Sequence, residues 1–127
     1  MKRMKTIMMI DDDEDDRFVF EKLFKEIDSS VEVTSVENGK RAIELLNTGS
    51  HPDLILIDVN MHGMNGYECL ATIRKCNTCC SVPVVMMSTS EPDPRQKGFS
   101  TFYTKPSETI ALKKMLQEII NRVISKT

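Results

Sequence analysis

The sequence predicts an α/β fold, a parallel sheet covered by helices on both faces, in one domain. Three observations carry this. Two apolar runs, Thr6 to Ile10 and Leu54 to Ile57, each stop abruptly at aspartate, the pattern of strands buried on both faces. Amphipathic stretches alternate with such runs, and strands alternating with helices imply right-handed crossovers between parallel strands. The length, 127 residues, suits a single core and is short for two.

In chain order, Thr6 to Ile10 is the first strand. Phe20, Leu23, Phe24 and Ile27 then fall at i, i+3, i+4 and i+7, the buried stripe of a helix. Val31 to Val36 alternates more weakly and suits an edge strand. Asn38-Gly39 opens a second helix carrying Ala42, Leu45 and Leu46, with Gly49 as its C-terminal stop. The run from Asp53 to Asp58 is the third strand, and the glycine-rich turn His62 to Gly66 leads into a helix with Cys69, Leu70 and Ile73. Val82 to Met87 is the fourth strand and Phe102 to Thr104 the fifth. From Ser107, read as an N-cap, Leu112, Leu116, Ile119, Ile120 and Val123 mark the longest helix. Between strands four and five, Thr89 to Ser100 contains Pro92, Pro94 and Gly98. Proline inside a helix removes a hydrogen bond and clashes with the preceding turn, so a loop or a single turn is expected where a full helix would otherwise cross.

Charge and composition narrow the function. Net charge is −2, and six of the 19 acids are consecutive, Asp11 to Asp16, so the acidity is concentrated at one point. Lysines and arginines are scattered and tryptophan is absent, which argues against direct nucleic-acid binding. No apolar run is long enough for a membrane span or a signal-peptide core. A cytoplasmic location with reduced cysteines is therefore expected. Cys76, Cys79 and Cys80 include a lone CxxC, and with Cys69 and His62 they form no second ligand pair for a tetrahedral zinc site. The nine methionines read as core filler.

In doubly wound sheets, ligands collect at the carboxyl ends of the strands. Asp11, Asp12, Asp58, Ser88 and Lys105 all fall at predicted strand ends. Carboxylates brought together call for a counter-charge, and an all-oxygen donor set favours a hard divalent cation such as Mg²⁺, with Mn²⁺ also possible. A carboxylate so neutralised is a competent nucleophile towards a phosphoryl group. Asp13, Glu14, Asp15 and Asp16 are read as a solvated helix start that complements the helix dipole.

Taken together, Asp11-Asp12 after strand one, Asp58 to Gly66 after strand three, Ser88 after strand four and Lys105-Pro106 after strand five resemble the receiver domain of bacterial two-component response regulators. The resemblance spans almost the whole chain, with a core of about residues 5–124. It implies a flavodoxin-like, five-stranded sheet of order 2-1-3-4-5, the fourth helix being shortened or absent here. It also implies that Asp58 is the phosphoacceptor, that Asp12 ligates Mg²⁺ directly and Asp11 largely through water, and that Asn60 adds its backbone carbonyl. Ser88 and Lys105 would contact the phosphoryl group, Ser88 and Phe102 would move as the switch, and Asn60 and Ser90 would tune phosphate lifetime. His62 stands where the family usually has proline. The implied partners are a sensor histidine kinase or histidine phosphotransfer protein and an unknown downstream protein. Residues 1–127 are expected to be one receiver domain with no output domain, acting by docking, with no enzymatic activity beyond its own phosphorylation and slow autodephosphorylation. Two rival readings are an aspartate-nucleophile phosphatase built on Asp11-x-Asp13 and a receiver-like module that never takes phosphate.

Overall fold

A computed structural model describes residues 5–75, 81–91, 93, 95, 99 and 101–124, without the side chains of 123 and 124. The elements run β1 (Lys5–Ile10), α1 (Glu14–Ile27), β2 (Val31–Val36), α2 (Gly39–Asn47), β3 (Leu54–Asp58), α3 (Gly66–Lys75), β4 (Val84–Ser88), β5 (Thr101–Thr104), α4 (Thr109–Ile119) and a π-helical turn (Ile120–Ile124). The strands form one parallel sheet in the order β2-β1-β3-β4-β5, as the resemblance implies.

Burial explains why the central strands read as unbroken apolar runs. Along β1, Ile7 and Met9 face the core under α1 and α4, while Met8 and Ile10 face the core under α2 and α3. In β3, Leu54 and Leu56 take the first side and Ile55 and Ile57 the second. Successive side chains of a strand point to opposite faces, so a strand covered on both must be apolar at every position. The edge strand β2 buries only Val31 and Val36. Met8, Met9, Met86 and Met87 are wholly buried, as core filler should be. Cys69 is likewise wholly buried, and burial pushes its thiol up to about 11, which makes it an inert core residue. Cys76, Cys79 and Cys80 lie outside the described residues.

Two boundaries differ from the sequence reading. Ser107 is not the cap of the last helix: Glu108 holds that position without a side-chain cap bond. Ser107 lies one residue earlier and lines the cleft beside Lys105. The last helix is the longest helical run, as expected: its 11 α-helical residues continue without a break into the five of the π-helical turn Ile120–Ile124, against 14 in α1. Val82 lies outside β4, which begins at Val84. Between β4 and β5 none of the described residues is helical. Pro92, Pro94 and Gly98 themselves lie outside the described residues. Asp93 donates its backbone N–H to the Tyr67 hydroxyl at 3.0 Å, which ties this connection to α3.

Parallel pairing brings the functional strand ends to one edge. Ile10 pairs with Ile57, Asp58 with Met87, and Ser88 with Thr104, so Asp11, Asp58, Ser88 and Lys105 finish neighbouring strands. The turn after β3 needs glycine twice. Gly63 has φ +74, the left-handed region, and a Cβ on Gly66 would stand 2.7 Å from the Asp58 carbonyl oxygen and the Val59 Cα. Gly66→Ala should therefore destabilise the fold by about 1–3 kcal/mol through overpacking against main chain. Gly63→Ala, in open space, should lose about 1 kcal/mol from backbone strain alone. Urea denaturation of the two variants checks the order, and an unshifted midpoint for Gly66→Ala would show that the turn gives way freely.

Candidate functional site

The acidic run divides by what each carboxylate touches. Asp11 is completely buried. Its Oδ1 accepts the Asp13 N–H at 2.9 Å, and its Oδ2 pairs with Lys105 Nζ at 3.1 Å. Asp13 caps α1 by accepting the N–H groups of Asp15 and Asp16, and Asp13, Glu14 and Asp15 are exposed, as a solvated helix start should be. With Asp11 enclosed and Asp13 spent on a cap, the Asp11-x-Asp13 pair is not arranged for an aspartate-nucleophile phosphatase.

Asp16 departs from the sequence reading. Rather than remaining solvated, it accepts a hydrogen bond from Lys105 Nζ at 2.6 Å. One oxygen from each of Asp11, Asp16 and Asp58 lies within 4.8 Å of the others. The signal was present in the helix start: side chains in a first turn lean towards the N-terminus, here back over the strand ends. Asp12 is drawn elsewhere. Its Oδ2 accepts the His62 N–H at 2.9 Å and lies 2.8 Å from His62 Nδ1, and it is outside the three-carboxylate group. These bonds, the backbone one foremost, lower its pKa.

Asp58 ends β3 at 7% exposure. Burial, and then the negative charge of Asp11, push its carboxyl up to about 6 against the pull of Lys105. Burial also raises Asp11, outweighing the Asp13 N–H and Lys105. Lys105 has its Nζ 3.9 Å from Asp58 Oδ2 and 5.4 Å from the Phe20 ring centroid. Burial works to lower its pKa, but the bond to Asp16 and the charges of Asp11 and Asp58 prevail and raise it. Three carboxylates against one ammonium leave the site short of positive charge. An all-oxygen set with two acids held above their ordinary range fits a hard divalent cation, which would restore the charged forms.

Ser88 is fully buried. Its hydroxyl accepts from Asn60 Nδ2 and from the Ser90 N–H, both at 3.0 Å, and lies 2.9 Å from the Ser90 hydroxyl. A hydroxyl has two lone pairs, so with both occupied its own proton goes to Ser90. Asn60 also donates its N–H to Asp58 Oδ1 at 3.2 Å. Phe102 is half-buried against the α2/α3 core and meets Phe99 edge to face, centroids 6.0 Å apart. A cleft of about 410 Å³ opens over Asp58, between Asn60, Thr89, Lys105 and the α1 residues Asp16 and Phe20. No helix among the described residues is long and apolar enough to cross a membrane.

Known proteins are similar to this chain in sequence and in fold. The family model described as the response regulator receiver domain matches residues 7–117. The two-component response regulator ORR4 of Oryza sativa subsp. indica is 31% identical over 140 residues, covering 91% of this chain and 60% of the rice protein. The chain thus spans about three fifths of that relative. Among solved structures, the phosphorylated cyanobacterial phytochrome response regulator RcpA aligns with a TM-score of 0.87 at 26% identity, over 98% of this chain and 97% of its own. The Mn²⁺-bound form of response regulator Rcp1 aligns at 0.80 and 25% identity, over 97% and 96%. The match runs from β1 into α4, and the chain belongs to the response regulator receiver domain family, the signalling domain of two-component systems.

Proposed function

We propose that Asp58 accepts a phosphoryl group from a sensor histidine kinase or histidine phosphotransfer protein, and that the phosphorylated chain signals to a downstream protein in the cytoplasm by docking. The observation that carries this reading is the Asp58 carboxylate itself. It lines a cleft, 3.9 Å from the half-buried ammonium of Lys105 and beside two further carboxylates.

In the transfer, an Asp58 oxygen forms the new O–P bond while the N–P bond to the donor imidazole breaks, and the imidazole keeps the electron pair. Asp11, Asp12, Asp58 and the Asn60 backbone carbonyl would hold Mg²⁺, or Mn²⁺ in its place. The cation supplies charge neutralisation at the phosphoryl oxygens. Lys105 supplies a second positive charge within reach of Asp58. Asp16, on the geometry, is a further acid that holds Lys105 in place. The Ser88 O–H, directed at the Ser90 hydroxyl, is the donor available to a phosphoryl oxygen once the hydroxyl turns, and Asn60 and Ser90 set how readily it does so. Phe102, on the neighbouring strand β5, completes the switch. Slow loss of phosphate to water would end the signal.

Incubation with a small phosphodonor and Mg²⁺, followed by mass spectrometry, tests the reading. A single acid-labile phosphate on Asp58, absent when a chelator is added, is the expected result. Labelling on another residue, or labelling indifferent to the chelator, would overturn it.

A further inference from the structure

His62 is the feature of the site that phosphotransfer leaves unused. It stands in the turn between β3 and α3 with its side chain fully exposed, so no packing fixes the ring; its contact is with Asp12, whose side chain is 24% exposed. The backbone N–H reaches Asp12 Oδ2 at 2.9 Å and ring Nδ1 reaches the same oxygen at 2.8 Å. An ionised carboxylate can only accept, so Nδ1 carries the proton. Both lone pairs of that oxygen are thereby taken. A proline at this position would offer neither donor, having no N–H and no polar ring atom. Meanwhile the oxygens that converge beside Lys105 come from Asp11, Asp16 and Asp58, without Asp12.

We propose that His62 is a positioning residue that withholds Asp12 from the divalent cation, so that Asp12 must give up hydrogen bonds to His62 before its Oδ2 can ligate. The proposal rests on the reading of Asp12 as a metal ligand. Cation affinity is then set by a competition between His62 and the ion for one carboxylate oxygen. The ring donor and the backbone donor contribute separately, and different substitutions remove them. Alanine deletes the ring donor and keeps the N–H, whereas proline deletes both.

The test is the dissociation constant for Mg²⁺, measured by isothermal calorimetry at one fixed pH, for the unmodified chain, His62→Ala and His62→Pro, and for each of these in an Asp12→Ala background. Exposed bonds to a charged group are modest, so His62→Ala should tighten Mg²⁺ about threefold and His62→Pro up to about tenfold. Both gains should vanish once Asp12 is alanine, a dependence that a general effect on folding would not produce. If proline disrupts the turn, the alanine variant decides alone. Unchanged or weaker binding in His62→Ala, with Asp12→Ala still costing affinity, would overturn the proposal and leave the metal reading standing. No loss of affinity on Asp12→Ala would overturn the reading of Asp12 as a ligand and the proposal with it.

Discussion

Asp58→Asn should take up no phosphate from a small phosphodonor under conditions that label the unmodified chain to completion. The amide keeps the shape of the side chain and its place at the end of β3, so the fold should survive. What it lacks is the oxygen nucleophile and one anionic metal ligand. Mass spectrometry after donor treatment reads the result directly, and labelling of the variant at the original rate would sink the assignment. Asp15 gives the control within the acidic run: it is exposed and its side chain makes no contact with Lys105. Asp15→Ala should leave labelling unchanged.

The same substitution should stabilise the protein, and in a pH-dependent way. Asp58 is held at about 6 in the fold, against an ordinary 3.8, by burial and by the charge of Asp11. A carboxyl whose pKa is raised on folding binds its proton more tightly when folded. Its contribution is therefore fully present below the unfolded pKa and is lost as pH rises through the folded one. For Asp58 the loss falls between 3.8 and about 6 and amounts to about 3 kcal/mol. Asp11 is raised too and acts in the same direction, while Lys105, also raised, stays charged across this window. In chelator, Asp58→Asn should thus be more stable than the unmodified chain above about pH 6, and the gap should close by about pH 4. Mg²⁺ should narrow the gap from the other side, by stabilising the chain that keeps its carboxylate. Urea midpoints across that pH range measure the difference; a gap independent of pH would show that the Asp58 charge is not strained.

Most of the fold was legible because burial on two faces leaves a plain mark. Ile7 to Ile10 and Leu54 to Ile57 had to be apolar at every position, and their C-terminal aspartates then located the site. Ser88 and Lys105 were legible as strand ends. Asp16 was not, because six consecutive acids carry no internal label, and only the helix geometry says which of them leans back over Lys105. The partner of Asp12 was equally hidden: His62 is 50 residues away along the chain, and the turn that brings it across is set by Gly63 and Gly66 rather than by any pattern of its own. The last helix differs at its start alone, since Ser107 is a better cap residue by type than Glu108, while its apolar stripe runs on into the π-helical turn as its spacing predicts.

The N–H of Lys105 donates to the Ser88 carbonyl at 2.7 Å, one rung past the β5 residues that pair with β4. That bond clamps the main chains of the two residues together at the ends of β4 and β5. Motion here then has a fixed pivot: the Ser88 hydroxyl can swing only by rotation about its own Cα–Cβ bond, while the backbone beneath it stays in register. Such a swing would break the contact of the Ser88 hydroxyl with the Ser90 hydroxyl at 2.9 Å, two residues along the connection to β5. Further along the connection, Asp93 is held separately, by the bond from its N–H to the Tyr67 hydroxyl of α3.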